Sequence, residues 1–340
     1  MNMAFSTIKD IIDDTFGGLF GEMQETGAAP DTAVVRVPAH DRGTGCVEVS
    51  GGRTKGYGQE GDGNNPLSSG FERLDKLTGG LRPGELTIIA GLPGVGKTSL
   101  ALNMADHVAV KAGAPVAVFS LDTDRQELLA RLVSSRSEVS LNNIFSGFLT
   151  DADRTLLDRA VLTLYSSPIL IDDATKHNVH TIKEALTRLE RPARPGLVIV
   201  DCLQLLTESQ RPVMDKEELR HICTSLKGVA TEFDIPVVAL YQLPQSWQHK
   251  KVVPHPTFLV SEGYTREYNA DVIVFIYRRT VCKRCNSPIE LCPCQVRHRA
   301  TFVVARSDGT AGVAQHSFLN HAVKFEDPDA VHAQRRWLKE

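Results

Sequence analysis

The chain has 340 residues, of which 42% are hydrophobic, and its 38 basic residues nearly balance 41 acidic ones to give a net charge of −3. This length suits one large domain or two modest ones, and the apolar fraction is sufficient for a buried core. The charge balance argues against a protein that coats nucleic acid through overall basicity, so we expect any nucleic-acid contact to be local.

The sequence carries no signal for a membrane or for secretion. It has no run of about 18 apolar residues, and its N-terminus, MNMAFSTIKDIIDDTF, lacks the basic and long apolar regions of a signal peptide. We therefore expect a cytoplasmic protein without a membrane partner, located in the host cytoplasm if a phage encodes it. In such a reducing compartment, clustered cysteines favour metal binding over disulfides.

The first 65 residues divide into a helical segment, 1–24, and a linker, 25–65. Residues 5–24 predict a short amphipathic helix, because apolar residues recur at helical spacing. The members of this stripe are Ile8, Ile11, Ile12, Phe16, Leu19 and Phe20. With no adjoining domain, the stripe predicts docking on a partner surface. Eight glycines between 43 and 63 predict a flexible linker, in which VVRVP is a weak strand signal.

Residues 66–330 predict one α/β domain, followed by a tail at 331–340. Short apolar runs recur along it, and most are continuous, which is typical of strands buried on both faces. They lie at 86–91, 115–122, 167–173, 196–201, 235–242, 270–278 and 300–306. Helical stretches lie between the early runs, and the clearest is 215–233, where every third or fourth residue is apolar. Alternating strands and helices indicate a mainly parallel sheet flanked by helices.

The segment GLPGVGKT, residues 91–98, fits the phosphate-binding pattern G-x-x-x-x-G-K-[ST] between an apolar strand and a helix. Glycines let backbone N–H groups turn toward phosphate oxygens, and the helix N-terminus adds partial positive charge. Lys97 is the candidate for contact with the β- and γ-phosphates, and Thr98 is the candidate Mg²⁺ ligand. The predicted ATP-binding residues are Gly91, Pro93, Gly94, Val95, Gly96, Lys97, Thr98 and Ser99.

Aspartates that end apolar strands complete the predicted catalytic set. Asp201 ends GLVIVD and is the candidate to hold Mg²⁺ through water, as in a Walker B motif, with a helix cap as the alternative. Asp173, which ends ILIDD, is its rival. Asp122 ends VAVFSLD, where a carboxylate can polarise the attacking water, although a turn residue explains it equally well.

A cysteine cluster lies in the segment 280–298. The pattern C-x₂-C-x₆-C-x-C, formed by Cys282, Cys285, Cys292 and Cys294, favours a structural Zn²⁺ site in a small insertion. The Cys-Pro-Cys pair is tight, so His298 is an alternative ligand. The other explanation is a set of free or disulfide-bonded cysteines. Cys202 and Cys223 are predicted packing residues, and Cys46 lies in the linker.

The order of these motifs resembles the C-terminal ATPase domain of DnaB-family replicative helicases, a branch of the RecA-like ATPases. The resemblance rests on SSGFERLDKLTGGLRPGELTIIAGLPGVGKTSLALNMA, followed by VAVFSLD, VIVDCLQLL, SLKGVATEFDIPVVALYQL and NADVIVFIYR. It covers about 5–24 and 67–330, and FSTIKDIIDDTF, at 5–16, resembles the family's linker helix, which docks on a neighbouring subunit.

The resemblance implies a RecA-like P-loop ATPase core in a ring, usually a hexamer, with ATP between neighbours and single-stranded DNA in the centre. A primase or a loader is the implied protein partner. Within the site, the resemblance implies that Gln242 senses the γ-phosphate. It makes Arg306 the candidate arginine finger, with a solvated strand-end arginine as the alternative. Glu262 and Glu267 match acidic positions of the family without an assigned role.

The sequence also departs from the family pattern. Asp122 stands where the family usually has glutamate, and the shorter side chain implies slow hydrolysis or a shifted water. The run that ends in Arg306 is one residue shorter than the family's lysine–arginine pattern, and Ser261 stands where the family usually has arginine. We expect no counterpart of the collar domain that precedes the linker helix in full-length members, which bears on ring stability and on primase recruitment.

Two loops are candidates for contact with single-stranded DNA, namely 207–216 and 244–260. Their predicted DNA-binding residues are Arg211, Lys216, Lys250 and Lys251, with Trp247 and His249 available to stack on bases. A few cations per subunit, repeated around a ring, are enough to grip a phosphate backbone. The alternative is that both are ordinary solvated loops.

Two functions are consistent with these motifs and departures. The first is an ATP-dependent, ring-forming DNA helicase that translocates 5′–3′ on single-stranded DNA during replication, where the ring and the polarity come from the resemblance. The second is a non-unwinding RecA-like ATP-binding accessory or loader protein in replication or recombination. Asp122, Ser261 and the shortened arginine run favour the second.

Overall fold

The computed structural model describes residues 5–20, 32–36, 46–50, 65–189, 194–206, 216–243, 264–278, 297–319 and 321–326. None of the helices within these ranges has the length and apolarity needed to cross a bilayer.

The α-helices of the described ranges follow the predicted pattern of helices between strands. They are α1 (Ile8–Phe20), α2 (Glu72–Thr78), α3 (Lys97–Lys111), α4 (Arg125–Ser137), α5 (Leu141–Ser146), α6 (Asp151–Tyr165), α7 (Val179–Arg188), α8 (Lys216–Phe233) and α9 (Tyr264–Glu267). A 3₁₀ turn at Leu203–Leu205 follows one of the strands.

The strands are β1 (Ser6–Thr7), β2 (Thr32–Arg36), β3 (Cys46–Ser50), β4 (Leu86–Gly91), β5 (Val116–Ser120), β6 (Ile169–Asp172), β7 (Leu197–Asp201), β8 (Val237–Gln242), β9 (Val272–Arg278), β10 (Arg297–Arg306), β11 (Ala311–Leu319) and β12 (Lys324–Glu326). All seven apolar runs predicted to be strands form β4 to β10. β11 and β12 were not predicted from the sequence.

Ten strands form one mostly parallel sheet in the order β1-β6-β5-β7-β8-β4-β9-β10-β11-β12. The six strands from β6 to β9 in this order pair in parallel. At one side β1 pairs antiparallel with β6, and at the other β10, β11 and β12 continue the sheet as an antiparallel meander. The predicted RecA-like α/β fold with a mainly parallel sheet is therefore confirmed.

Alternate residues of the central strands enter two separate cores, one on each face of the sheet. Val116 and Val118 of β5 pack with α1, α3, α4 and α6 on the first face. Ala117 and Phe119 pack with α7 and α8 on the second. This arrangement explains the continuous apolar runs, since a strand covered on both faces needs no polar side.

The N-terminal helix packs on the core of its own chain. Thr7 and Asp10 begin α1 with reciprocal bonds: the Asp10 backbone N–H donates to the Thr7 hydroxyl, and the Thr7 backbone N–H donates to the Asp10 carboxylate. Ile8, Ile11 and Ile12 are buried in the same core as α4 and α6. The apolar stripe that predicted a partner surface thus finds a surface within this chain.

Two other predicted segments lie mostly or partly outside the described residues. Within the linker, β2 and β3 pair as a two-stranded antiparallel sheet, so VVRVP contributes to a strand after all. The cysteines at 282, 285, 292 and 294 fall between β9 and β10 and outside the described residues. His298 belongs to β10, opposite Phe318 of β11. The described ranges contain no group of three or more His, Cys, Asp or Glu side chains arranged to hold a metal.

Candidate nucleotide site

Three predicted site residues end neighbouring strands at the carboxyl edge of the parallel sheet. Gly91 ends β4 and is paired in register with Gln242, which ends the neighbouring strand β8. The backbone N–H of Leu243 donates to the Gly91 carbonyl at 2.9 Å. Asp201 ends β7 and is in register with Ser120, the last residue of β5. Ligand sites of parallel α/β sheets lie at this edge, because the loops that follow the strands converge there.

The loop between β4 and α3 has the glycine geometry that a phosphate-binding loop needs. Gly96, the residue before α3, has a φ of 101°, a conformation that favours glycine. Glycine has no side chain to cap the helix, so no side chain of this residue bonds to the N–H groups of the first turn. A Cβ atom on Gly91 would lie 2.8 Å from Val95 and 2.9 Å from the Ile276 carbonyl oxygen. Glycine is therefore the residue that fits at both positions.

The polar side chains of the site are held by hydrogen bonds. The Thr98 hydroxyl donates to Asp201 Oδ2 at 2.6 Å, across 103 positions of sequence. The Lys97 ammonium donates to the carbonyl oxygens of Gly91 at 3.1 Å and Leu92 at 3.0 Å. Lys97 therefore lies under its own loop, and Thr98 and Asp201 place two oxygen ligands side by side. This donor set suits Mg²⁺, which prefers oxygen ligands.

Burial is the largest cause of the pKa shifts of Lys97 and Asp201. It lowers the pKa of the Lys97 ammonium, against the opposing charges of Asp201 and Asp122. Burial also raises the pKa of Asp201, against the hydrogen bond from Thr98 and the charge of Lys97. One cation and one carboxylate are thus held in a partly desolvated site, where their interaction with a charged ligand is stronger than in water.

Asp122 lies at the rim of the same group. It follows β5, is exposed, and is close enough to Lys97 and Asp201 to affect both of their pKa values. The segment that carries it is anchored to β7, because the Leu121 backbone N–H donates to the Asp201 carbonyl at 2.6 Å. The carboxylate therefore faces solvent next to the predicted phosphate and magnesium residues, as a water-polarising group requires.

Comparison with known proteins places this site in a family. A family model described as the DnaB-like helicase C terminal domain matches residues 66–327. The chain belongs to this family. DnaB-like members among its relatives include the replicative DNA helicase DnaB of Geobacillus stearothermophilus, 30% identical over 273 residues that cover 80% of this chain and 57% of the relative. The replicative DNA helicase DnaC of Bacillus subtilis (strain 168) is 33% identical over 213 residues, which cover 62% of this chain and 47% of the relative.

The DnaB-like fold is also found among solved structures. One, described as the structure of a DnaB-like replicative helicase and its interactions with primase, has a TM-score of 0.65 and 25% identity, and the match covers 77% of this chain and 62% of that one. A second, described as an ATPase domain, also has a TM-score of 0.65, with 27% identity over 78% of this chain and 93% of that one. The chain spans about half the length of the curated DnaB relatives that it matches.

Asp173, the rival magnesium ligand in this DnaB-like domain, is committed to an ion pair. Arg125 Nη2 donates to Asp173 Oδ1 at 2.5 Å, and the Arg125 backbone N–H donates to Oδ2 at 3.1 Å. Burial acts to raise the pKa of Asp173, but the hydrogen bonds and charge of Arg125 outweigh it and hold that pKa below its usual value. This arrangement gives Asp173 a structural part and leaves Asp201 beside Thr98.

Residues behind the phosphate loop were missed by the sequence analysis. Arg278, the last residue of β9, donates to the Gly94 carbonyl, and its guanidinium lies 4.2 Å from the centre of the Phe318 ring. A Cβ atom on Gly96 would lie 3.0 Å from Phe325. Arg278 and the rings of Phe318 and Phe325 thus pack against the phosphate loop and each other. The strand-end position of Arg278, beside β4, was the available signal.

Cys202, which follows Asp201, and Cys223 of α8 behave as packing residues. Burial raises the pKa of the Cys202 thiol to about 11 and that of Cys223 to about 12. Both thiols are therefore protonated at neutral pH and are poor nucleophiles.

The structure places Arg306, the candidate arginine finger, far from the phosphate loop of its own chain. It ends β10 opposite Val272, at the sheet edge where β4 begins. Its Nη2 donates to Glu85 Oε1 at 2.7 Å, and its Nη1 donates to the Thr78 carbonyl. The guanidinium is therefore turned inward and held within its own chain. This orientation does not favour reach into a neighbour, and the finger role stays a prediction.

Most of the predicted DNA-contact residues fall outside the described ranges: Arg211, Trp247, His249, Lys250 and Lys251. Lys216 is exposed at the first position of α8. Of the acidic positions that match the family, Glu262 lies outside the described residues. The Glu267 carbonyl accepts a hydrogen bond from Arg220 Nε at 3.1 Å.

Proposed function

We propose that this protein is an ATP-dependent DNA helicase that forms a ring, translocates on single-stranded DNA and acts in DNA replication in the cytoplasm. The observation that carries the proposal is the convergence of Lys97, Thr98, Asp201, Asp122 and Gln242 at one edge of the sheet, in a chain of the DnaB-like family. A phosphate loop alone is common to many ATPases. The exposed carboxylate and the strand-end glutamine are suited to activate water and to respond to the γ-phosphate. Membership of a helicase family favours the use of that hydrolysis by a motor.

Each residue has a separate part in the proposed hydrolysis. The loop N–H groups and Lys97 bind the phosphates. Thr98 and Asp201 would hold Mg²⁺, which when bound would neutralise charge that develops on phosphate oxygens. Asp122 accepts a proton as the water oxygen bonds to the γ-phosphorus and the bond to the bridging oxygen breaks, giving ADP and phosphate. Gln242, adjacent to Gly91 in register, is placed to respond to the γ-phosphate.

The proposed partners come from the family. We propose a homo-oligomer, most simply a hexamer, that binds single-stranded DNA through Arg211, Lys216, Lys250 and Lys251. A similar solved structure is described with its interactions with primase, which supports primase as a candidate partner; a loader is a further proposal. For the cysteine cluster we propose a structural Zn²⁺, supported by ligand type and spacing.

A second function is favoured by one observation. Arg306 is 5% exposed and bonded to Glu85, so it does not extend from the domain as a residue acting on a neighbouring ATP site would. A RecA-like accessory or loader that binds ATP without unwinding DNA needs no such residue. Under the helicase proposal, Arg306 either leaves Glu85 in the ring or has no direct contact with the neighbour's ATP.

The test is ATP hydrolysis with and without single-stranded DNA, combined with a mass measurement of the oligomer. We expect DNA to raise the turnover of the wild-type protein, and Lys97→Ala to lower it by about 100-fold or more. Lys111→Ala, an exposed lysine at the other end of α3, is the matched control and should behave as wild type. A protein that neither hydrolyses ATP nor assembles with nucleotide and DNA would support the accessory function instead.

A further inference from the structure

Residues 5–15, here called the N-terminal strap, are an integral part of the ATPase core. Ser6 and Thr7 add a strand to the sheet edge, paired with Ile171 and Leu170 of β6. Ile8, Ile11 and Ile12 follow at 0%, 1% and 3% exposure. Three large aliphatic side chains buried to this extent give the strap a stable seat on the domain.

The strap contacts the chain on both sides of Asp122. The Phe5 ring lies edge-on to the Phe119 ring, with centroids 5.3 Å apart. The Ser6 hydroxyl accepts a hydrogen bond from Arg125 Nη1. Phe119 precedes Asp122 by three positions and Arg125 follows it by three. The strap therefore holds both ends of the short segment that carries the predicted water-polarising carboxylate.

Arg125 is a firm anchor for the second of these contacts. Its Nε lies 3.0 Å from each Asp173 oxygen. Asp124, beside it, caps α4 by accepting the Glu127 backbone N–H at 2.8 Å. The hydrogen bond from Arg125 to Ser6 thus links the strap to a fixed point at the start of α4 and the end of β6.

The contact between Phe5 and Phe119 also involves a fixed residue. Phe119 is fully buried, and it also contacts the His177 ring, which lies edge-on with centroids 5.5 Å apart. Phe5 therefore closes one side of an aromatic cluster beneath the end of β5. Removing its ring leaves Phe119 with space to move, and the strand end with it.

The position of Asp122 depends on this framework, because its own side chain is exposed. Within the segment, the Ser120 hydroxyl donates to the Thr123 carbonyl at 2.6 Å, which closes a tight turn around Asp122. The turn is tied to β7 on one side through Leu121 and to the strap on the other. A catalytic group held by its backbone loses activity when that backbone shifts, and a displacement of about 1 Å costs up to about 100-fold.

We propose that the N-terminal strap is a positioning element of the ATP site, in which Phe5 and Ser6 hold the Asp122 segment in the place that water activation requires. This inference rests on the proposed function, since it assigns Asp122 a part in ATP hydrolysis. It adds two positioning residues that lie outside the matched family region, 66–327.

The test compares ATP hydrolysis by a double variant, Phe5→Ala with Ser6→Ala, and a control, Lys9→Ala. Lys9 lies on the same strap, but its ammonium faces the Tyr165 ring of α6 at 5.0 Å and not the Asp122 segment. We expect kcat of the double variant to fall about tenfold with KM for ATP within about twofold of wild type, and the control to match wild type. Both variants are measured with and without single-stranded DNA.

A double-mutant cycle separates positioning from general loss of structure. In an Asp122→Asn background, the strap substitutions are expected to have no further effect on the residual kcat, because they act through the carboxylate already removed. Ser6→Ala alone, which removes one hydroxyl, is included as the mildest change. It is expected to lower kcat at an unchanged melting temperature.

Four results overturn the inference. A wild-type kcat in the double variant removes the strap from the site while the ATPase assignment stands. The same result in Ser6→Ala does so if the double variant does not fold. A tenfold loss that persists in the Asp122→Asn background assigns the strap a purely structural part. A wild-type protein without ATP hydrolysis removes the proposed function, and this inference with it.

Discussion

His316 gives the sharpest prediction of how stability depends on pH. It lies on β11 at 1% exposure, stacked on Phe302 with ring centroids 4.4 Å apart and edge-on to Phe71 at 5.4 Å. Burial, together with the positive charge of Arg73, lowers the pKa of this imidazole from its ordinary value of 6.5 to about 4. The folded protein therefore holds His316 neutral over a pH range in which the unfolded chain takes up a proton.

The sign and size of the effect follow from that difference. Between about pH 6.5 and pH 4 the unfolded state binds more protons than the folded state, so the free energy of unfolding falls as the pH is lowered. The pKa difference corresponds to about 3 kcal/mol once the pH reaches 4, and to about 2 kcal/mol at pH 5. This is a large share of the stability of a typical domain.

Urea unfolding of the wild-type protein and of His316→Phe, at about pH 7.5 and about pH 5, measures the effect. Carboxylates titrate in both proteins, so the difference between their pH dependences isolates His316. We expect the wild type to lose about 2 kcal/mol more than the variant over this range. Equal losses, or an imidazole that titrates near pH 6.5 in the folded protein by NMR, would refute the reasoning.

Three further outcomes test other parts of the account. Asp122→Glu is expected to keep or raise kcat, because it restores the longer carboxylate; a collapse would mean that the site has re-formed around aspartate. Metal analysis of protein purified under reducing conditions is expected to give about one Zn²⁺ per chain, and the double variant Cys282→Ser with Cys285→Ser is expected to lose it. A zinc content near zero in the wild-type protein would remove the zinc proposal. The double variant Thr7→Cys with Leu170→Cys is expected to form a disulfide within one chain, since these residues pair in register on β1 and β6. A dimer-sized band on a non-reducing gel, absent from either single variant, would instead show that the strap comes from a neighbouring subunit.

The central strands and the phosphate loop were predictable because their signals are local. Each buried strand is a continuous apolar run, and the loop is a fixed spacing of glycines before Lys97 and Thr98. The strand β11, AGVAQHSFL, was missed because glycine, glutamine and histidine interrupt its pattern, and β12 is three residues long. The histidine of β11, His316, is a polar residue in the sequence pattern, but in the structure it is buried and neutral.

The orientation of individual side chains was not predictable, because it depends on partners far away along the chain. Arg306 turns inward toward Glu85, which is 221 positions away. Arg125 is anchored by Asp173, 48 positions away, and contacts Ser6 across 119. Nothing in the local sequence of α1 indicated that its apolar stripe would be buried on its own domain, since an isolated amphipathic helix predicts only that some surface covers it.

The measurement that tests the central claim most directly is strand separation on a forked DNA duplex with a 5′ single-stranded tail. The account predicts unwinding that requires ATP and Mg²⁺, is lost in Lys97→Ala and is retained in Lys111→Ala. ATP hydrolysis without strand separation, in a protein shown by mass to form a ring on the same DNA, would contradict the helicase function and leave a RecA-like accessory ATPase.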